Sequence, residues 1–209
     1  MEKIGSATIN GMEKHFLTLQ TSVAAEELRD RLRRWEPWAI RVDFSNGVST
    51  MDFKPRTPFN EHPLNKLSVV EAAISFAEVS GGRMLDVGCN AGYNCIHAAK
   101  KYGLSCTGID VVPSYIESAR FLSETAGVNA EFFIASAETF SRPEKFDVAL
   151  HFGTLYHLPN PVLSLRTTFD NLRPGVIWPW KPRYMITRRT RIFAISCTCK
   201  IMIRPTFGR

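Results

Sequence analysis

Apolar residues recur along this chain with two periods, about 3.6 in some stretches and 2 in others, and the switching between them predicts its elements. The first twenty residues show no firm pattern. Ala24 to Trp35, dense in Glu, Leu and Arg, reads as a helix with Arg31, Arg33 and Arg34 on a solvated face. Ile40, Val42 and Phe44 then alternate with Arg41 and Asp43, and extended character resumes from Val48 to Phe53. Asn46-Gly47 between these two runs predicts a β-hairpin. Pro55, Pro58 and Pro63 mark a connector, because repeated prolines continue neither helix nor strand.

From Leu64 the pattern becomes regular. A helix to Val79 stops at Gly81-Gly82, a strand follows from Arg83 to Val87, then a helix from Tyr93 to Tyr102 and a strand from Ser105 to Ile109. Pro113 opens a third helix, where its missing N–H costs nothing, and Gly127 closes it. Glu131 to Ala135 and Phe146 to Phe152 read as strands. Pro161 to Leu172 reads as a helix with Val162, Leu165, Phe169 and Leu172 on its apolar face. Strand and helix in alternation predict an α/β fold on a parallel sheet. The expected division is a helix and hairpin over 1–60, the α/β domain over 61–175 and a separate tail over 176–209.

The chemistry concentrates where the strand Met84-Leu-Asp-Val87 runs through Gly88-Cys89-Asn90-Ala91-Gly92 into a helix. Open parallel sheets bind ligands at such strand ends. Gly88 lets backbone approach a ligand, Asn90 tolerates positive φ, and Gly92 lets the helix begin close to the strand. The spacing is DxGxxxG, so the GxGxxG fingerprint of dinucleotide sites is absent. The strand, turn and helix instead resemble motif I of class I S-adenosylmethionine-dependent methyltransferases. The resemblance implies a Rossmann-like sheet and S-adenosylmethionine as cofactor, with Asp86 orienting its amino group through water.

Downstream residues extend the resemblance. Gly108-Ile-Asp110 closes the next strand, and a carboxylate about twenty residues after the turn can accept hydrogen bonds from both ribose hydroxyls. Ser136-Ala137-Glu138 stands where the superfamily has an acid followed by the amide that reads adenine. Here Ser136 replaces the acid, and Ala137 keeps the N–H. The run FGTLYHLPNP, with the GCNAGY turn and the Trp-containing amino-terminal segment, is similar to the tRNA wobble-uridine methyltransferase-like family over Trp35 to Gly175. That likeness places Tyr156 and His157 at the mouth of the crevice as candidates for contacting the acceptor, either a small molecule or a tRNA base. A neutral His157 imidazole can take a proton from the acceptor; the competing reading is a hydrogen-bonded loop residue. His151, inside a strand, reads as a packed core group. Trp35 and Trp38, on the helix and hairpin, are expected to form a lid.

After Asn171-Leu-Arg-Pro-Gly175 the family pattern stops. Its later strands are not recognisable in Val176 to Arg209, which would leave the sheet incomplete and the strand ending at Phe152 as an exposed edge. A shifted reading frame or other truncation, a divergent replacement hairpin near Tyr184 to Ile203, and a basic nucleic-acid arm compete for that segment. An inactive cofactor-binding remnant is the functional alternative it raises.

Charge sharpens this division. The chain has 209 residues and a formal net charge of +6. Residues 1–175 hold 18 basic and 20 acidic residues, a net −2, whereas 176–209 hold eight basic residues and no acid. The body is therefore no basic nucleic-acid surface. Cys89, Cys95, Cys106, Cys197 and Cys199 have no metal spacing and read as reduced thiols, with no metal expected. No apolar run approaches bilayer length, so the expectation is a soluble, cytoplasmic protein without a membrane partner.

Overall fold

The computed structural model describes residues 6–9, 12–15, 17–53, parts of 67–79, 81–173 and 192–196. The amino-terminal stretch that lacks a sequence pattern carries three strands. β1 (Ser6–Ile9) and β2 (Met12–His15) pair antiparallel, and β3 (Leu17–Leu19) pairs in parallel with β4 (Val42–Phe44). Between β3 and β4 lies α1 (Ala25–Arg33), which buries Leu28 and Leu32. Its solvent face is laced by Arg31–Glu27 and Arg33–Asp30 ion pairs at 2.6 and 2.7 Å.

The Asn46-Gly47 turn forms as expected, with the Gly47 amide donating to the Phe44 carbonyl and a single antiparallel bridge between Asp43 and Ser49. The second arm departs from its expected strand. Thr50–Asp52 coils into a 3-10 turn, because Ser49 and Asp52 form a reciprocal capping box and the Thr50 hydroxyl donates 2.6 Å to the Ile40 carbonyl. Local side-chain bonds thus outcompete the ladder. The proline connector lies outside the described residues.

The remaining elements are β5 (Arg83–Val87), α2 (Tyr93–Tyr102), β6 (Ser105–Asp110), α3 (Pro113–Ala126), β7 (Ala130–Ile134), β8 (Val148–Phe152), α4 (Pro161–Asp170) and β9 (Ile192–Ser196). They match the sequence expectation within two residues at each end except at β9. The strands form one parallel sheet in the order β7-β6-β5-β8-β9. β9 corrects the expectation of a bare edge. Val148–Phe152 pairs residue for residue with Ile192–Ser196, inside the Tyr184 to Ile203 stretch for which a replacement hairpin is one of the competing readings.

Side-chain alternation along the strands divides the core between two faces. Met84, Val148, Leu150 and Phe152 join Ile74, Cys95, Ile116 and Phe132 on one face. Leu85, Val87 and Ala149 join Phe146 and Leu172 on the other. A third cluster unites the amino-terminal part with the outer surface of the helices: Leu19, Leu32, Trp38 and Phe44 pack with Tyr93, Ile96 and Leu122. The Tyr93 hydroxyl accepts from the Leu17 amide at 3.3 Å, tying β3 to the first turn of α2. Of the expected apolar face of α4, Leu165, Phe169 and Leu172 pack against the core and one residue departs. Val162 is 73% exposed, whereas Ser164 and Thr168 are buried.

One contact tests this packing. A Cβ on Gly108 would lie 2.6 Å from the buried Phe132 ring and 2.8 Å from Cys89 Sγ. Gly108→Ala should cost about 1–3 kcal/mol of unfolding free energy by overpacking, and adding Phe132→Leu should recover part of it. Urea midpoints of the two variants check both outcomes.

Candidate active site

The strand order reverses between β5 and β8, and at such a switch point the carboxyl ends of neighbouring strands open a crevice. β5 enters it through the Gly88 to Gly92 turn. Gly88, Asn90 and Gly92 have φ of 74°, 50° and 76°, all left-handed, which a β-branched residue would resist. The Gly88 and Cys89 amides both donate to the Ile109 carbonyl, at 2.8 and 3.0 Å. This folds the turn back over the end of β6.

Asp110 completes the arrangement. Its Oδ2 accepts the Asn90 amide at 3.1 Å and its Oδ1 accepts the Val112 amide at 3.1 Å. One carboxylate therefore joins the turn after β5 to the start of α3, and each oxygen retains a further acceptor position.

Other candidates are distributed around that centre. Asp86 is 1% exposed, and its Oδ2 accepts the Asn94 amide group at 3.2 Å, so it braces the first turn of α2 from beneath. Cys89 is 4% exposed. Burial, followed by the nearby Asp86 and Asp110 charges, pushes its thiol well up and keeps it a neutral packing group. Gly92 fits against the Phe132 ring, 2.7 Å from where a Cβ would stand. On the far side of Asp110, the Ser136 hydroxyl accepts the Glu138 amide at 3.2 Å and shapes the turn after β7. The Ala137 amide has no acceptor among the described residues. The Glu138 carboxylate accepts the Asn160 amide at 2.7 Å, fastening this turn to the start of α4.

β8 leads into an exposed turn and itself carries a buried histidine. Tyr156 and His157 sit in a 3-10 turn, Leu155–His157, exposed and with ring centroids 4.2 Å apart. Beneath them His151 is 0% exposed, as expected of a core group. Its Nε2 lies 2.8 Å from Ser164 Oγ and its Nδ1 2.7 Å from Thr154 Oγ1. Burial lowers its pKa from 6.5 to about 4. Sequence reasoning passed over Thr154. Its methyl fills the space left by Gly88, 1.9 Å from an added Cβ, and its hydroxyl lies 3.4 Å from the Val87 carbonyl. Only the pairing of β5 with β8, Val87 opposite His151, brings these residues together.

Trp35 and Trp38 are engaged in packing. Trp38 is 2% exposed and donates its indole N–H to the Leu32 carbonyl at 3.0 Å, while Trp35 stacks on Phe121 at 5.2 Å.

A parallel sheet whose central strand ends in a glycine turn, gripped by a carboxylate from the next strand, gives the Rossmann-like fold that methyltransferase structures share. Residues 78–179 match the family model described as "Methyltransferase domain". The chain is 32% identical over 126 residues to the Ubiquinone biosynthesis O-methyltransferase of Saccharophagus degradans, covering 59% of this chain and 50% of that protein. It is 31% identical over 114 residues to the Ajmaline N-methyltransferase of Rauvolfia serpentina, covering 50% of this chain and 39% of that one. The chain spans about half the length of the relatives it matches. Among solved structures, the N-terminal domain of EvdMO1 with SAH bound superimposes with a TM-score of 0.57 at 24% identity, covering 71% of this chain and 62% of that one. The [4+2]-cyclase SpnF gives a TM-score of 0.50 at 24% identity, over 57% and 45% of the two chains. Among the described residues no helix is long and apolar enough to cross a membrane, and no cluster has metal-ligating geometry.

Two measurements follow from the geometry. Asp110→Ala orphans two backbone amides and should cost about 1–3 kcal/mol in urea denaturation. For His151, the unfolded imidazole takes a proton near 6.5 and the folded one near 4. Between those values the unfolded state binds more protons, so stability falls as pH drops from 6.5 towards 4 and is unaffected above that window. The loss reaches about 3 kcal/mol, and His151→Asn should flatten this part of the pH profile.

Proposed function

We propose that this chain binds S-adenosylmethionine in the crevice between β5 and β8 and transfers its methyl group to a hydroxyl-bearing small molecule. The observation that carries the reading is the Asp110 carboxylate held against the Gly88 to Gly92 turn by the Asn90 amide. The left-handed turn leaves backbone rather than side chains facing the crevice, which suits the amino-acid end of the cofactor. The further acceptor positions on Asp110 suit its ribose hydroxyls, and the Ala137 amide suits adenine. Asp86 acts through Asn94, fixing the helix that starts at the turn.

When bound, the cofactor supplies a methyl carbon already made electrophilic by its sulfonium. The protein's task is then alignment of the acceptor and removal of its proton. His157 and Tyr156 stand at the crevice mouth, and a ring nitrogen of His157 takes the proton from the attacking hydroxyl. The relatives named for ubiquinone biosynthesis and ajmaline favour a small acceptor over the tRNA base suggested by the FGTLYHLPNP run.

Calorimetry with S-adenosylhomocysteine tests the cofactor half. Wild type should bind it and Asp110→Ala should not; absence of binding to wild type removes the reading. For the second half, His157→Ala should slow methylation of a phenolic probe by roughly a hundredfold or more while leaving S-adenosylhomocysteine affinity intact. An unchanged rate would assign His157 to the loop structure alone.

A further inference from the structure

Three side chains that the proposed reaction does not use form a continuous chain beneath the crevice: Ser164 on α4, His151 on β8 and Thr154 just after it. Hydroxyls flank both ring nitrogens, and the line ends on the Val87 carbonyl, the last residue before the glycine turn. The geometry gives this line a direction. The single Thr154 hydroxyl hydrogen is assigned to the Val87 carbonyl, 3.4 Å away, because that oxygen can only accept whereas the ring nitrogen can also donate. Thr154 Oγ1 then presents a lone pair to His151 Nδ1 at 2.7 Å, which must carry the hydrogen. A neutral imidazole has one N–H, so Nε2 accepts from Ser164 at 2.8 Å. The reverse arrangement sets oxygen lone pairs of Thr154 and Val87 against each other.

The anchor at the far end is rigid. Ser164 is fully buried in the first turns of α4, its amide donates to the Asn160 carbonyl, and Asn160 caps the helix through the Leu163 amide. At the near end the Thr154 methyl occupies the space beside Gly88.

We propose that Ser164, His151 and Thr154 form a one-directional hydroxyl–imidazole–hydroxyl relay, with the ring hydrogen on Nδ1, that holds the Thr154 methyl against Gly88 and thereby shapes the turn that receives the cofactor. His151 and Ser164 are positioning residues, separated from the cofactor by Thr154. The inference rests on the cofactor reading above. A packing role alone would be indifferent to the ring tautomer, whereas the relay requires one.

The full chain labelled with 15N-histidine, studied by long-range 1H–15N correlation at neutral pH, reads the tautomer directly, and calorimetry reads S-adenosylhomocysteine affinity. Wild type should show His151 with hydrogen on Nδ1. Ser164→Ala, which removes the donor to Nε2 while Thr154 still accepts from Nδ1, should keep the hydrogen on Nδ1 and weaken binding by roughly three- to tenfold. Thr154→Ser keeps the hydroxyl but removes the methyl, so it should retain the tautomer and still lose affinity. Hydrogen on Nε2 in wild type, or wild-type affinity in both variants, overturns the relay while leaving the cofactor reading intact. A wild-type chain that does not bind S-adenosylhomocysteine removes the cofactor reading and, with it, the role assigned to the relay.

Discussion

The carboxylate of Asp110 is the constraint on which the crevice depends. A glycine-containing turn has many accessible conformations, and the bonds within the segment, from the Gly92 amide to the Cys89 carbonyl and from the Ala91 amide to the Asn90 side chain, do not tie it to its neighbours. Two acceptor oxygens on one rigid group, at the end of a neighbouring strand, engage the Asn90 and Val112 amides together. Hydrogen bonds to an ionised acceptor are shorter and stronger than neutral ones. The carboxylate thus fixes the turn after β5 relative to the start of α3, and the Ile109 carbonyl beside it takes the Gly88 and Cys89 amides.

Around that centre, the three strand ends divide the work. β6 supplies the grip, β5 the left-handed backbone, and β8 the wall, where Thr154 closes the gap that Gly88 leaves. The β7 turn completes the ring through Ser136 and Glu138, with Glu138 bonded across to Asn160. None of this dictates the chemistry performed at the mouth. The [4+2]-cyclase SpnF shares the architecture with methyltransferase structures, so the fold by itself does not fix the reaction.

The α/β half was legible in the sequence because its signals were local and mutually consistent. Pro113 and Gly127 bracket α3, Gly103 follows α2, and the apolar runs of β5 and β8 are those of strands buried on both faces. Gly88, Asn90, Gly92 and Asp110 could be singled out by their place at the ends of apolar strands, and Asp86 by the resemblance to motif I. What escaped the sequence depended on partners distant in the chain. β3 is three residues long and is a strand only through its pairing with β4. The coil at Thr50–Asp52 is decided by the Ser49 and Asp52 caps and by Ile40, ten residues before Thr50. In α4 the apolar residues Leu165, Phe169 and Leu172 were legible, whereas the burial of Ser164 against His151 was not, since a hydrophobic pattern does not register a polar contact. β9 lies in a segment whose basic composition masked it.

The bond from the Leu17 amide to the Tyr93 hydroxyl has a mechanical consequence. Tyr93 is the first residue of the helix launched from the glycine turn, and its ring is buried among Leu19, Trp38 and Phe44. The amino-terminal layer is thus geared to the helix that leaves the binding loop. Displacing that layer would therefore pull on the first turn of the helix that the Gly88 to Gly92 segment launches.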